Sequence, residues 1–129
     1  MILKINVIKG FDKGKKQNFS AFPISIGRWP DNAFLLTEPL VSRMHCTINN
    51  INDDLTVRDL VSANRTILND KIVCSDESVA DNDILILGSN YIKLTIEDWL
   101  CNISKWINYK AFTWHNNYSS KLMNVGGVN

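Results

Sequence analysis

The residues best suited to chemistry lie in the stretch Gly27 to His45, GRWPDNAFLLTEPLVSRMH, and in a shorter polar segment, Ser62-Ala63-Asn64-Arg65-Thr66. The first opens on a Gly-Arg pair and closes on Ser-Arg-x-His, with turn-forming residues between. Arg28 and Arg43 each carry a planar fork of donors that matches phosphate oxygens, and Ser42 adds a short neutral donor. Brought together by a loop between strands, these three side chains can hold a phosphate. Asn64, a side-chain amide in the second segment, is suited to pairing with the backbone of an extended peptide beside it.

These pieces occur in a fixed order that resembles the forkhead-associated (FHA) domain family, a module that recognises phosphothreonine. The family's running pattern is Gly-Arg, then Ser-Arg-x-His, then Asp-Leu-x-Ser-x-Asn-Gly-Thr, then a second Asn-Gly and a late Gly-Asp. This chain has Gly27-Arg28, Ser42-Arg43-Met44-His45, Asp59-Leu60-Val61-Ser62-Ala63-Asn64-Arg65-Thr66, Asn69-Asp70 and Asn82-Asp83. The resemblance spans roughly residues 2–97. It implies that Arg28 and Ser42 contact the phosphate, that Arg43 is a second basic contact, and that Asn64 pairs with the bound peptide's backbone. It also implies that Gly27 and His45 are structural, His45 hydrogen-bonding within the domain to hold the binding loops.

The departures from the pattern fall at positions 65, 70 and 82, which carry Arg, Asp and Asn where the family has glycine. Asp70 and Asn82 tolerate left-handed backbone geometry, whereas Arg65 pays ~1 kcal/mol if its φ is positive. Either that loop takes another geometry, or Arg65 compensates by adding a third cation to the pocket. Ala63 lacks a hydroxyl often found just before the asparagine. An adaptor that keeps the sandwich but binds partners without phosphate, as in bacterial secretion machinery, is the alternative; it predicts loss of Arg28, Ser42 or Asn64, and all three are present.

An enzyme is the reading from another class. Ser42, His45 and Asp59 are the residue types of a hydrolase triad. On a strand, however, residues three apart point to opposite faces, and neither a nucleophile elbow nor a glycine-rich oxyanion loop accompanies them. Two histidines and three scattered cysteines give no metal-ligand spacing. No catalytic residue, metal or cofactor is expected.

The elements that must position the site read as short strands. Ile2–Ile8 alternates, Gly10–Lys16 is a turn, and Phe19–Ile26 resumes with Phe22, Ile24 and Ile26 on one face. Phe34–Leu36 is a short apolar run. His45–Asn49 and Leu55–Leu60 flank an Asn49–Asp54 hairpin, Thr66–Leu68 and Lys71–Val73 flank Asn69-Asp70, and Ile84–Leu87 and Tyr91–Ile96 flank Gly88-Ser89-Asn90. Many short, evenly spaced strands indicate an all-β fold, and the resemblance makes it an FHA-type β-sandwich of two twisted sheets. At Glu97 the pattern changes. Over 98–114 the apolar residues Trp99, Leu100, Ile103, Trp106, Ile107, Ala111 and Trp114 fall at helical spacing, which predicts a C-terminal amphipathic α-helix. Its expected partner is the domain itself, another subunit or a partner protein. Residues 115–129 form a polar, flexible tail in this reading.

Composition bounds the partners. At 129 residues the chain has room for one cored domain with an appendage, here 1–97 followed by 98–129. A net charge of +1 is not a surface that attracts nucleic acid, so any anion site is local. No apolar run approaches the ~18 residues of a membrane span. Cys46, Cys74 and Cys101 are odd in number and far apart, which fits reduced thiols, and no signal-peptide pattern follows Met1. The expected setting is cytoplasmic, the expected partner a phosphothreonine-containing protein, and the expected role recruitment in Ser/Thr-kinase signalling.

Overall fold

In a computed structural model the structure describes residues 1–97, which form eleven strands in two sheets. The helix expected over 98–114 and the tail over 115–129 lie outside the described residues. The strands are β1 (Ile2–Lys9), β2 (Lys16–Phe19), β3 (Ile24–Gly27), β4 (Phe34–Leu35), β5 (Cys46–Ile51) and β6 (Asp54–Asp59). They continue with β7 (Ile67–Leu68), β8 (Lys71–Ile72), β9 (Glu77–Ser78), β10 (Asp83–Leu87) and β11 (Asn90–Glu97). One sheet runs β2-β1-β11-β10-β7-β8 and the other β4-β3-β5-β6-β9. All pairings are antiparallel except β3 with β4.

Alternation decides which side of each sheet is buried. Leu3, Ile5 and Val7 of β1, Leu85 and Leu87 of β10, and Ile92 and Leu94 of β11 point inward from the six-stranded sheet. Ile24, Ile26, Cys46, Ile48, Leu55 and Val57 meet them from the other, with Phe34, Leu36 and Val41 closing one side. Each such side chain contributes about 1.5–3 kcal/mol by leaving water, and a one-residue slip in any strand would turn its set outward. The all-β sandwich expected from the sequence is the fold observed. Among the described residues no helix is long and apolar enough to cross a membrane.

Three expectations need correction. The strand expected over Phe19–Ile26 is two strands, β2 and β3, which lie in different sheets. Pro23 sits between them after a cis peptide bond, and a residue without an N–H cannot continue a ladder. Phe22 consequently leans on the core as a half-buried residue rather than as a strand position. The Asn49–Asp54 hairpin is tighter than expected: β5 runs to Ile51, and Asn52 and Asp53, at φ 53° and 68°, make a two-residue turn. Strand β9, which pairs with β6 at a sheet edge, was not expected at all; its two residues give no alternation to read.

Candidate functional site

The loops β3–β4, β4–β5 and β6–β7 converge because Gly27 lets two of them touch. A Cβ at Gly27 would lie 2.1 Å from the Arg43 carbonyl oxygen and 2.9 Å from Asn32 Nδ2. With only a hydrogen there, the end of β3 lies against the segment 42–43, and Arg28 N donates to Ser42 O (3.0 Å) and Trp29 N to Arg43 O (3.1 Å). Asn32, buried beneath, donates through Nδ2 to both Trp29 O (2.8 Å) and Arg43 O (2.7 Å). The sequence marked Asn32 only as a turn residue; its clamp on both loops is a long-range feature with no local signal.

Arg28 is exposed, and its Nε donates to Val41 O at 2.9 Å. That bond fixes the guanidinium at the lip of the loop and leaves its two terminal NH2 groups without an acceptor among the described residues. Arg43 and Arg65 are also exposed. The ion pairs among the described residues join Lys4 to Glu97 and Arg58 to Asp76, so none of these three arginines faces a carboxylate there.

Ser42 is tied at both ends. Its backbone N–H donates to His45 Nδ1 (3.0 Å), and its Oγ accepts from Ala63 N (2.9 Å). The hydroxyl hydrogen is not taken by an acceptor among the described residues, so Ser42 is oriented as a donor. Asn64 crosses the same gap, its Nδ2 donating to Leu40 O at 2.8 Å. Asn64 therefore braces one loop against the other with one N–H, and its second N–H and Oδ1 remain for other contacts.

His45 is fully buried at the centre of this arrangement. Nδ1 accepts from Ser42, so the ring proton sits on Nε2, which donates to Arg65 O at 2.8 Å. Burial holds the imidazole below its ordinary pKa; the Arg65 carbonyl and the Asp59 charge offset only part of this. A second ring proton on Nδ1 would face the Ser42 N–H, so the neutral form is the one the site accommodates. The departure at position 65 leaves the backbone geometry unchanged. Arg65 keeps the left-handed backbone, φ 69°, that glycine supplies in the family pattern, and its carbonyl is held there by His45.

Asp59 shapes the β6–β7 loop. Its oxygens accept from Ser62 N (3.0 Å), Ser62 Oγ and Thr66 Oγ1 (2.6 Å). Burial raises the Asp59 carboxyl, but these bonds and the nearby His45 outweigh it and hold the group below the usual carboxylate value. The triad geometry is not formed. Ser42 and His45 lie in a loop rather than on a strand, His45 takes the backbone N–H of Ser42 rather than its hydroxyl, and Asp59 bonds Ser62 and Thr66 rather than the imidazole. Among the described residues no group of three acidic, His or Cys side chains could hold a metal.

A partly buried polar network that motif reading missed supports the β4–β5 loop from below. Glu38 Oε1 accepts from Ser89 N and Ser89 Oγ, both at 2.7 Å. Asp12 accepts from Thr37 N (3.1 Å) and Asn90 Nδ2 (2.8 Å). Burial raises the Asp12 carboxyl, yet its bonds from Thr37, Asn90 and Glu38 hold it below its ordinary value.

The FHA domain family matches residues 24–88. No curated protein sequence matches the chain significantly. Among solved structures, the chain is similar to a domain from a structural and functional analysis of phosphothreonine-dependent FHA domain interactions. That likeness has 26% identity and a TM-score of 0.67 over 76% of this chain and 99% of the other. It is similar to the FhaA FHA domain complexed with the intracellular domain of a second protein, at 27% identity and a TM-score of 0.63 over 71% and 98% of the two chains. The FHA domain of the CT664 protein from Chlamydia trachomatis shares the fold, with 21% identity and a TM-score of 0.69 over 76% and 100%.

Proposed function

The chain belongs to the forkhead-associated domain family, and on that premise we propose that it binds phosphothreonine peptides through Arg28, Ser42 and Arg43. Asn64 and Arg65 then contact the peptide beside the phosphate. The family is a protein-interaction module rather than an enzyme family. In this reading the protein recruits phosphorylated partners in Ser/Thr-kinase signalling inside the cell, without chemistry of its own.

The observation that carries the reading is the state of Ser42 and Arg28. Ser42 Oγ is oriented by the Ala63 N–H so that its hydrogen is available, and Arg28 is braced through Nε with its terminal nitrogens available. A phosphate with about −1.5 to −2 charge at neutral pH matches such a set of donors, and each charge-assisted bond is worth ~1.5–3 kcal/mol. Preorganisation matters here, because donors already fixed by the fold lose little freedom on binding.

The test is a phosphothreonine-oriented peptide library, with unphosphorylated and phosphoserine controls. Binding is expected for phosphothreonine and absent for the unmodified peptides. Threonine's extra methyl is worth about 0.8 kcal/mol if buried, so matched phosphoserine peptides should bind a few-fold more weakly. Equal capture of modified and unmodified peptides would instead support an adaptor that binds without phosphate.

A further inference from the structure

The outward sides of the two sheets differ in character. On the five-stranded sheet Ser25, Thr47 and Arg58 share one outward row across β3, β5 and β6, and Asn49 pairs with Thr56 in the next. On the six-stranded sheet the register instead lines up Ile72, Ile67, Ile86 and Tyr91 across β8, β7, β10 and β11. Alternation turns these four away from the core, because Leu68, Leu85, Leu87 and Ile92 beside them point into it. Ile84 continues the apolar surface in the next outward row. Strand propensity does not demand isoleucine here, since threonine is also β-branched and serves on the other sheet. Ile72, on the edge strand, is 51% exposed, and Tyr91 is exposed as well.

Lysines border the Tyr91 end of this row. Lys9 places its ammonium 4.8 Å from the centre of the Tyr91 ring. Lys93 pairs with Ile84, and Asn6 and Lys16 carry that outward row on across β1 and β2. Lys4, Asn6, Lys16 and Thr95 line a surface depression of about 410 Å³ there. Glu97 is taken by Lys4 at 3.1 Å, so Lys9, Lys16 and Lys93 face no carboxylate among the described residues. Neighbouring strands lie about 4.8 Å apart and successive outward rows about 7 Å, so an apolar strip roughly 14 Å long runs into a basic corner.

We propose that the outer face of the six-stranded sheet docks an amphipathic helix of another protein, its apolar stripe along Ile72, Ile67, Ile86 and Tyr91 and its acidic end over Lys9, Lys93 and Lys16. At a rise of 1.5 Å per residue, about nine helical residues cover the strip. Carboxylates at a helix N-terminus are also where the helix dipole favours them, so the acidic end is the N-terminal one. Opposite charge at the corner fixes which way round the helix lies. A second copy of this face would bring isoleucines but, with Glu97 taken, no carboxylate for the lysines. None of the residues assigned to phosphate lies on this face, so the inference stands apart from that reading.

The test titrates the full chain with synthetic helical peptides of about four turns, followed by methyl and amide NMR. One peptide carries a leucine stripe with glutamates at its N-terminal end, a second has lysines for the glutamates, and a third has serines for the leucines. The first should shift the Ile67, Ile84, Ile86 and Lys93 signals, and the other two should bind at least about tenfold more weakly. Lys93→Glu should weaken the first peptide about threefold to tenfold, and Ile86→Thr by a similar factor. Unchanged amide shifts away from the face show that each variant is folded, and the surface change Lys93→Glu decides the matter should Ile86→Thr not fold. Equal binding of the glutamate and lysine peptides, full affinity in Lys93→Glu, or no shift with any peptide overturns the inference. So does a concentration-dependent shift of the same methyls without peptide, which would make the occupant a second copy, or a shift with anionic lipid vesicles alone.

Discussion

Replacing His45 with alanine should destabilise the domain by roughly 3–4 kcal/mol, most of it from loops rather than from the core. The imidazole is fully buried and makes two bonds, from the Ser42 N–H at 3.0 Å and to the Arg65 carbonyl at 2.8 Å. Leaving a donor or acceptor unpaired costs ~1–3 kcal/mol. Ser42 is only part-buried and Arg65 is exposed, so water can reach both groups and the lower end, about 1 kcal/mol each, applies. The emptied ring volume adds about 1–2 kcal/mol as an unfilled cavity. In a domain of this size 1 kcal/mol moves the melting midpoint by about 4–8 °C, so the shift should be roughly 12–32 °C. Thermal unfolding of the full chain, followed by circular dichroism at pH 7.5, reads this directly. A His45→Ala protein that melts within about 3 °C of the parent would refute the claim that His45 holds the two loops together.

The neutral imidazole also predicts a pH dependence. Its folded pKa lies below the ordinary value of 6.5, so below that pH the unfolded chain binds the proton first and stability falls with pH until the folded ring also protonates. Asp12 and Asp59, both lowered from 3.8, withdraw further stability only below that value. Urea titrations at pH 7.5 and 5.5 should therefore differ in the parent, and the difference should shrink in His45→Ala. Gly27→Ala forces a carbon to within 2.1 Å of Arg43 O and must part the two loops, so it should lower stability by about 1–3 kcal/mol and weaken phosphopeptide binding with it. Arg28→Ala should weaken a phosphothreonine peptide tenfold to a hundredfold by calorimetry in a protein that stays folded, with Arg28→Lys intermediate because it keeps the charge but loses the fork. Unchanged affinity in folded Arg28→Ala would remove that residue from the site.

The parts of the fold that could be read from the sequence were those with a local cause. β1, β5, β6, β10 and β11 alternate over several residues, and Asn69-Asp70 carries turn chemistry in its side chains. Within the site, three residues of the ordered motif each meet a separate physical demand: a missing Cβ at 27, a ring with two opposed nitrogens at 45, a carboxylate with three donors at 59. What could not be read had distant causes. The switch of sheets around Pro23 depends on which partner each half finds, and the two-residue β9 exists only because Thr56 and Val57 present a free ladder edge. Asn32 and Glu38 carry no motif signal, because Arg43 and Ser89, which they reach, lie in other loops.

Position 65 shows how such distant causes bear on function. From the sequence, Arg in place of glycine suggested either a changed loop or a compensating role. The backbone keeps the left-handed geometry, φ 69°, and the Nε2 proton of His45 holds the Arg65 carbonyl. Because the same ring accepts the Ser42 N–H, the strained loop and the serine loop are coupled through one neutral imidazole. Protonating that ring sets two donors against each other at Ser42, so acid should loosen both loops together rather than either alone. Phosphate itself loses charge near pH 6, which would weaken binding in the same range by an unrelated route. Hydrogen exchange of the free protein separates the two: faster exchange at the Ser42 and Ala63 amides at pH 5.5, corrected for intrinsic rates, belongs to His45 alone, since no phosphate is present. If those amides are as well protected in His45→Ala as in the parent, the imidazole does not couple the loops.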